Sequence, residues 1–307
     1  MRKIAIFYLF YSISLYAIPD YNSALQSQIN HTPWFTGPLL APAGNVFPPG
    51  HIGWQLYLFM QDTVTRPKIV SLFFLNLGLT PFVDSAITIN TSHNSSSVIQ
   101  MGDSAINFGF QLLKESYQTP SLRLTYTQIF PTGKYQKLNR AKKGSDSSGN
   151  GAFSPIISAN FAKQFPLSST HYFNTRLSFS FAYYPPVFVR GYNTYGGGLG
   201  TDGKVSPGNF YTITFAFEYN ITQNLAVAMD IQYAHNNRTR FHGKKGITST
   251  GEQATIRQAS NDQLSLAPAL EYNWSANVGV IGGVWFSILE KNIAAFINGV
   301  FSIVVTY

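Results

Sequence analysis

The chain has 307 residues, a formal charge of +8, 11% charged residues, 15% aromatics and no cysteine. A soluble domain carries about 25% charge, so this composition excludes an ordinary water-facing surface. The missing cysteine excludes disulfides and thiolate metal sites.

The chain opens with Arg2 and Lys3, then an almost wholly apolar run over residues 4–16. Ala17 is a cleavage position, and Asp20 and Asn22 return the chain to polar sequence. That is the layout of a secretory signal peptide, expected over residues 1–17. An N-terminal anchor is the rival reading, but the run falls short of the roughly 20 residues a membrane helix needs. Residues 18–50 follow and carry Pro33, Pro38, Pro42, Pro48 and Pro49. So much proline excludes a long helix or a central strand. This segment is expected to be a periplasmic extension or a plug inside a barrel.

From residue 51 to 307 the pattern has a period of two. Ile52, Trp54, Leu56, Leu58 and Met60 alternate with Gly53, Gln55, Tyr57, Phe59 and Gln61. Similar runs start near Ile106, Phe173, Tyr211, Leu225 and Leu264. Each is near the 9–11 residues of a tilted transmembrane strand. Short turns are expected around Pro81, residues 116–120, 166–170, 220–224 and 274–277. Longer polar loops are expected at 91–102, 131–151, 185–208 and 236–262. Short and long connections alternate, as in an outer-membrane barrel with both termini in the periplasm. The expected fold is all-β: a transmembrane antiparallel up-and-down barrel of about twelve strands. A soluble sandwich would need charged outer faces, and a helical hairpin over 277–289 and 293–307 would be too short to span.

The chain ends Phe301-Ser302-Ile303-Val304-Val305-Thr306-Tyr307. This ending resembles the C-terminal signal of Gram-negative outer-membrane barrels, which implies recognition of Phe301 and Tyr307 by the barrel-insertion machinery. Phe301, Ile303, Val305 and Tyr307 are expected to face lipid, with the backbone paired to the strand around residues 54–60. Four blocks extend the resemblance. They are Gly78-Leu79-Thr80-Pro81-Phe82-Val83-Asp84, Gly102-Asp103, Phe130-Pro131-Thr132-Gly133 and Leu266-Ala267-Pro268-Ala269-Leu270-Glu271-Tyr272. In order and spacing they resemble the outer-membrane barrel family labelled after the meta-cleavage pathway of phenol degradation. The resemblance implies an outer-membrane transporter of small molecules, with apolar or aromatic cargo suggested by the label alone. The alternative is a non-transporting structural or surface barrel.

Chemistry-bearing residues are sparse. His93-Asn94-Ser95 has a His-x-Ser spacing within a Ser-rich stretch, and Asp146, Asp202 and His242 fall in loops. Neither set implies fixed geometry, so a hydrolase is the lesser reading. No cofactor and no metal site is expected. Gly196 to Gly200 reads as a flexible turn. Arg123, Arg176, Glu218, Asp230 and Glu271 fall on polar strand faces and are the lumen candidates. A mid-depth charge facing lipid would cost about 2–4 kcal/mol. Lys134, Lys137, Arg140, Lys142 and Lys143 cluster in one loop, and Arg238, Arg240, Lys244 and Lys245 in another. On an outer membrane these would meet lipopolysaccharide phosphates rather than nucleic acid.

Overall fold

The computed structural model describes residues 33–61, 68–94, 97–142 and 144–307. The signal-peptide reading lies outside these residues. The strands, in chain order, are β1 (Ile52–Gln61), β2 (Lys68–Thr80), β3 (Val83–Asn94), β4 (Ser97–Met101), β5 (Ser104–Leu113) and β6 (Ser121–Phe130). Next come β7 (Pro155–Pro166), β8 (Tyr172–Ala182), β9 (Val187–Arg190), β10 (Asp202–Ser206) and β11 (Phe210–Asn220). The last are β12 (Leu225–Asn236), β13 (Arg240–Lys244), β14 (Asn261–Ser275), β15 (Val278–Lys291) and β16 (Ile297–Thr306).

Twelve of these strands form one closed antiparallel barrel, and β4 folds back on the end of β3 as a flap. The three others, β9, β10 and β13, make a separate small sheet above the barrel. Closure is direct: β1 pairs with β16 from Gly53 opposite Thr306 to Gln61 opposite Asn298. No strand edge of the barrel remains to be capped, which is what a chain surrounded by hydrocarbon requires. The segments drawn as a helical hairpin are β15 and β16. Among the described residues no helix is long and apolar enough to cross a membrane.

Period two places alternate side chains outside and inside. Ile213, Phe215, Ile231, Phe108, Phe110 and Phe301 are among the exposed outer residues. On the spanning strands, outward charges are confined to positions near the strand ends, such as Lys163 and Asp262. Aromatic pairs mark both rims, as an interfacial girdle does. Tyr272 meets Trp274 at 5.4 Å at the end bearing the short turns, and Phe181 meets Tyr211 at 5.1 Å at the end bearing the long loops.

Three expectations need correction. Residues 91–102 are not mainly loop: β3 runs on to Asn94 and β4 pairs back with it. This hairpin is rich in Ser, Thr and Asn, so it lacks the greasy face that betrays a spanning strand. Val305 has the outward parity but is buried between Trp54 and Val278, its partners on either side. Gly196 to Gly200 is no open turn. Leu199 and Ile247 exchange backbone hydrogen bonds, and Gly198 packs against the Ile247 backbone.

Candidate functional site: the lumen

Residues 34–50 lie inside the barrel, in the half nearer the short turns. The Trp34 amide donates to the Gln223 carbonyl in the β11–β12 turn, 3.0 Å away, and its own carbonyl accepts from Asn273. The chain then passes the inner faces of β14 and β12. The Thr36 amide donates to Glu271 Oε2 at 2.9 Å. The amides of Leu39 and Ala41 donate to the two oxygens of Asp230, at 2.9 and 2.8 Å. Crossing to the far wall, the Val46 amide reaches Gln111 and the Phe47 amide reaches Asp84. At its exit the Pro48 carbonyl presses on Gly78, where any side chain would collide with it.

The reason for this arrangement lies in proline. Pro38, Pro42, Pro48 and Pro49 prevent the segment from pairing as a strand. Its amides still need acceptors once buried. The barrel supplies them as carboxylates, which accept more strongly than neutral carbonyls.

All five lumen candidates face inward and are buried. Arg123 holds Asp84 at 2.6 Å. Room for that pair comes from Gly109 on β5, since a Cβ there would strike both side chains. Arg176 lies 3.5 Å from Glu218, whose carboxylate also accepts from Asn174 at 2.6 Å. Asp230 and Glu271 have the inner segment as their partner. Sequence reasoning missed Asp84 and Gln111 as members of this belt. Their signal was parity: Asp84 shares a face with Ala86, Thr88 and Asn90, and Gln111 with Asn107.

The wall is not uniform. On β6, β7, β8 and β11, between the charged belt and the loop end, the inward residues are small and polar: Thr125, Thr127, Ser158, Ser178, Ser180, Thr212 and Thr214; nearest the loops, Ile129, Ile156 and Phe210 join an apolar cluster under the small sheet. On β1, β2, β15 and β16 large apolar side chains dominate at mid-depth, while β14 adds Ser265 and Glu271 and the β1–β16 seam adds Gln55 and Ser302. Tyr57, Phe59, Phe74, Trp285 and Val300 form one cluster with Leu39 and Leu40 of the inner segment. Trp285 spends its indole N–H on Ser265 at 2.9 Å.

The loop end is roofed. Asp103 accepts from the amides of Gly133 and Asn150, both at 2.8 Å, and Thr132 donates to the Gly102 carbonyl at 2.7 Å. Two of the sequence blocks, Gly102-Asp103 and Pro131-Thr132-Gly133, thus form one clasp. Lys134 is paired with Asp146 at 2.6 Å, and the Asn139 amide adds a second contact. Burial pushes the Asp146 carboxyl up, but those hydrogen bonds outweigh it and hold its pKa below the usual value. Lys137, Arg140, Lys142, Lys244 and Lys245 are exposed, and Lys143 is outside the described residues. Arg140 reaches the Ser249 carbonyl at 3.3 Å, which joins the two basic loops. His93 is exposed on β3, and Ser95 is outside the described residues. Among the described residues no three His, Asp or Glu side chains gather into a metal site.

A closed twelve-stranded barrel with an apolar outside and a charged belt inside has the architecture of an outer-membrane barrel. Solved structures share this fold. The chain is similar to an outer membrane channel from Pseudomonas putida F1, with TM-score 0.61 and 12% identity, over 86% of this chain and 97% of that one. It also aligns with the NanC porin at TM-score 0.47 and 7% identity, over 83% of this chain and 98% of that one. The KdgM porin aligns at 0.39 and 7%, over the same shares of the two chains. No family model matches the sequence, and no curated relative does.

Proposed function

We propose that the chain is an outer-membrane channel for small solutes, held shut from the short-turn side by residues 34–50. The observation that carries this is the small polar wall of β6, β7, β8 and β11. A barrel built only for structure fills its interior with large side chains. Here four of the twelve strands, a third of the circumference, carry Ser and Thr instead. The likeness to an outer membrane channel supports the same reading at the level of fold. On this reading the termini and short turns face the periplasm and the long loops face outward.

One observation favours the rival, a non-transporting barrel. Every lumen carboxylate is engaged by an arginine or by the inner segment, as a permanent lock would require. Asp230→Asn separates the two. The amide keeps the shape but replaces one acceptor oxygen with a donor that faces a backbone amide. Losing charge-assisted bonds of about 1.5–3 kcal/mol should raise single-barrel conductance in planar bilayers about tenfold or more. Deletion of residues 34–40 should raise it further. Folded barrels that stay silent in both variants would refute transport.

A further inference from the structure

The small sheet above the barrel has two faces of opposite character. Val187, Val189 and Val205 point down into a buried cluster that also holds Ile256 and Phe210. The register fixes what points up. Asp202 stands opposite both Lys244 and Arg190, Lys204 opposite both His242 and Phe188, and Ser206 opposite Arg240. Directly paired residues share a face of a sheet. Arg190, Lys204, Arg240 and Lys244 therefore share one face with His242, against a single carboxylate, Asp202. Both Arg190 and Asp202 are mostly exposed, so their contact at 3.5 Å neutralises little of the field.

Three strands from two separate loops build this face, and a third loop widens it. The Lys137 amide donates to the Arg190 carbonyl at 3.2 Å along the outer edge of β9. Basic residues distant in sequence thus become one rigid patch, since its underside is core. In its midst Phe188 is 69% exposed, with Lys204 Nζ 5.9 Å from its ring centroid. An aromatic face beside ammonium and guanidinium groups is unsuited to a bare anion. It suits a ligand carrying phosphates on sugar rings, with the phosphates on the cations and a ring face on the phenyl.

We propose that this face docks the phosphorylated sugars of the glycolipid that forms the outer leaflet of an outer membrane. The proposal rests on the outer-membrane location above but not on conduction. Charge complementarity chooses the occupant, and the exposed Phe188 chooses a sugar-bearing one.

The test uses the full chain in detergent, with purified rough-type lipopolysaccharide as the probe and native mass spectrometry as the readout. Wild-type protein should retain the glycolipid. The triple variant K204Q, R240Q, K244Q should bind about tenfold more weakly, the sum expected of three exposed ion contacts. Phe188→Ser should weaken binding without changing its salt dependence. Glycolipid treated with phosphatase should bind poorly to every form. Equal binding by the triple variant, or by dephosphorylated glycolipid, overturns the proposal. So does equally tight binding of a single-stranded oligonucleotide, which would mark a general polyanion surface. Retained heat-resistant migration of each variant on gels checks that the barrel is folded. Unchanged bilayer conductance keeps this result separate from the channel reading.

Discussion

The two walls of the lumen are built on different rules. From β3 to β12 the inside is polar at mid-depth, below the apolar cluster of Ile129, Ile156 and Phe210, and each charge there meets a fixed partner. On β1, β2, β15 and β16 a hydrophobic core dominates the inside, with lipid-facing residues on its other side. Residues 34–50 fit between them as an amphipathic insert. Leu39 and Leu40 join the apolar wall, while the amides of Leu39 and Ala41 turn to Asp230. One segment therefore satisfies both rules, which neither wall alone could have required of it.

The contrast can be broken most severely on the polar side. Arg123→Ala leaves Asp84 buried without its cation, and unfolding in urea with lipid vesicles should show a loss of about 3–5 kcal/mol. Arg123→Met combined with Asp84→Asn should recover part of it, because no buried charge is left unpaired and the amide oxygen still accepts from Phe47. If the double variant is as unstable as the single one, the pair is needed for more than charge balance. On the apolar side Trp285→Phe should cost about 1–2 kcal/mol, the bond to Ser265 plus part of a ring. A cost matching that of Arg123→Ala would erase the distinction between the walls.

The smallest effect belongs to the roof. Asp146 has a lowered pKa in the folded state, so its contribution is complete at neutral pH, above the unfolded value of about 4. It is lost as pH falls through the lower folded value. Hydrogen exchange at the Asn139 amide should therefore lose protection only in acid, below that ordinary range, and Asp146→Asn should remove this pH step.

Legibility in the sequence cut across this division, since β1 and β14 showed alternation too. Strands with a polar inside, such as β11 and β12, announced themselves by alternation. β2 did not, because Val70, Leu72 and Phe74 are apolar inside and Ile69, Phe73 and Leu77 stand on the opposite face. The five charges on polar faces were identifiable from parity alone. Their partners were not, because hydrogen bonds from the Leu39 and Ala41 amides to Asp230 join residues about 190 apart and leave no local pattern. The face shared by Arg190, Lys204, Arg240 and Lys244 was hidden for the same reason: β9, β10 and β13 are too short to show a period.

The closing seam ties the assembly of the wall to that of its contents. Gln55 and Ser302 hydrogen-bond across it at 3.1 Å, although 247 residues separate them. Contacts between such distant residues form late, and the insert's own anchors are nearly as distant, 235 residues for Thr36 to Glu271. The insert continues directly into β1, one lip of that seam, while its anchors lie on β3, β5, β12 and β14. Seam and anchors therefore draw on the same long-range closure, and an insert without its anchors would leave β1, and with it one lip of the cylinder, without a set position.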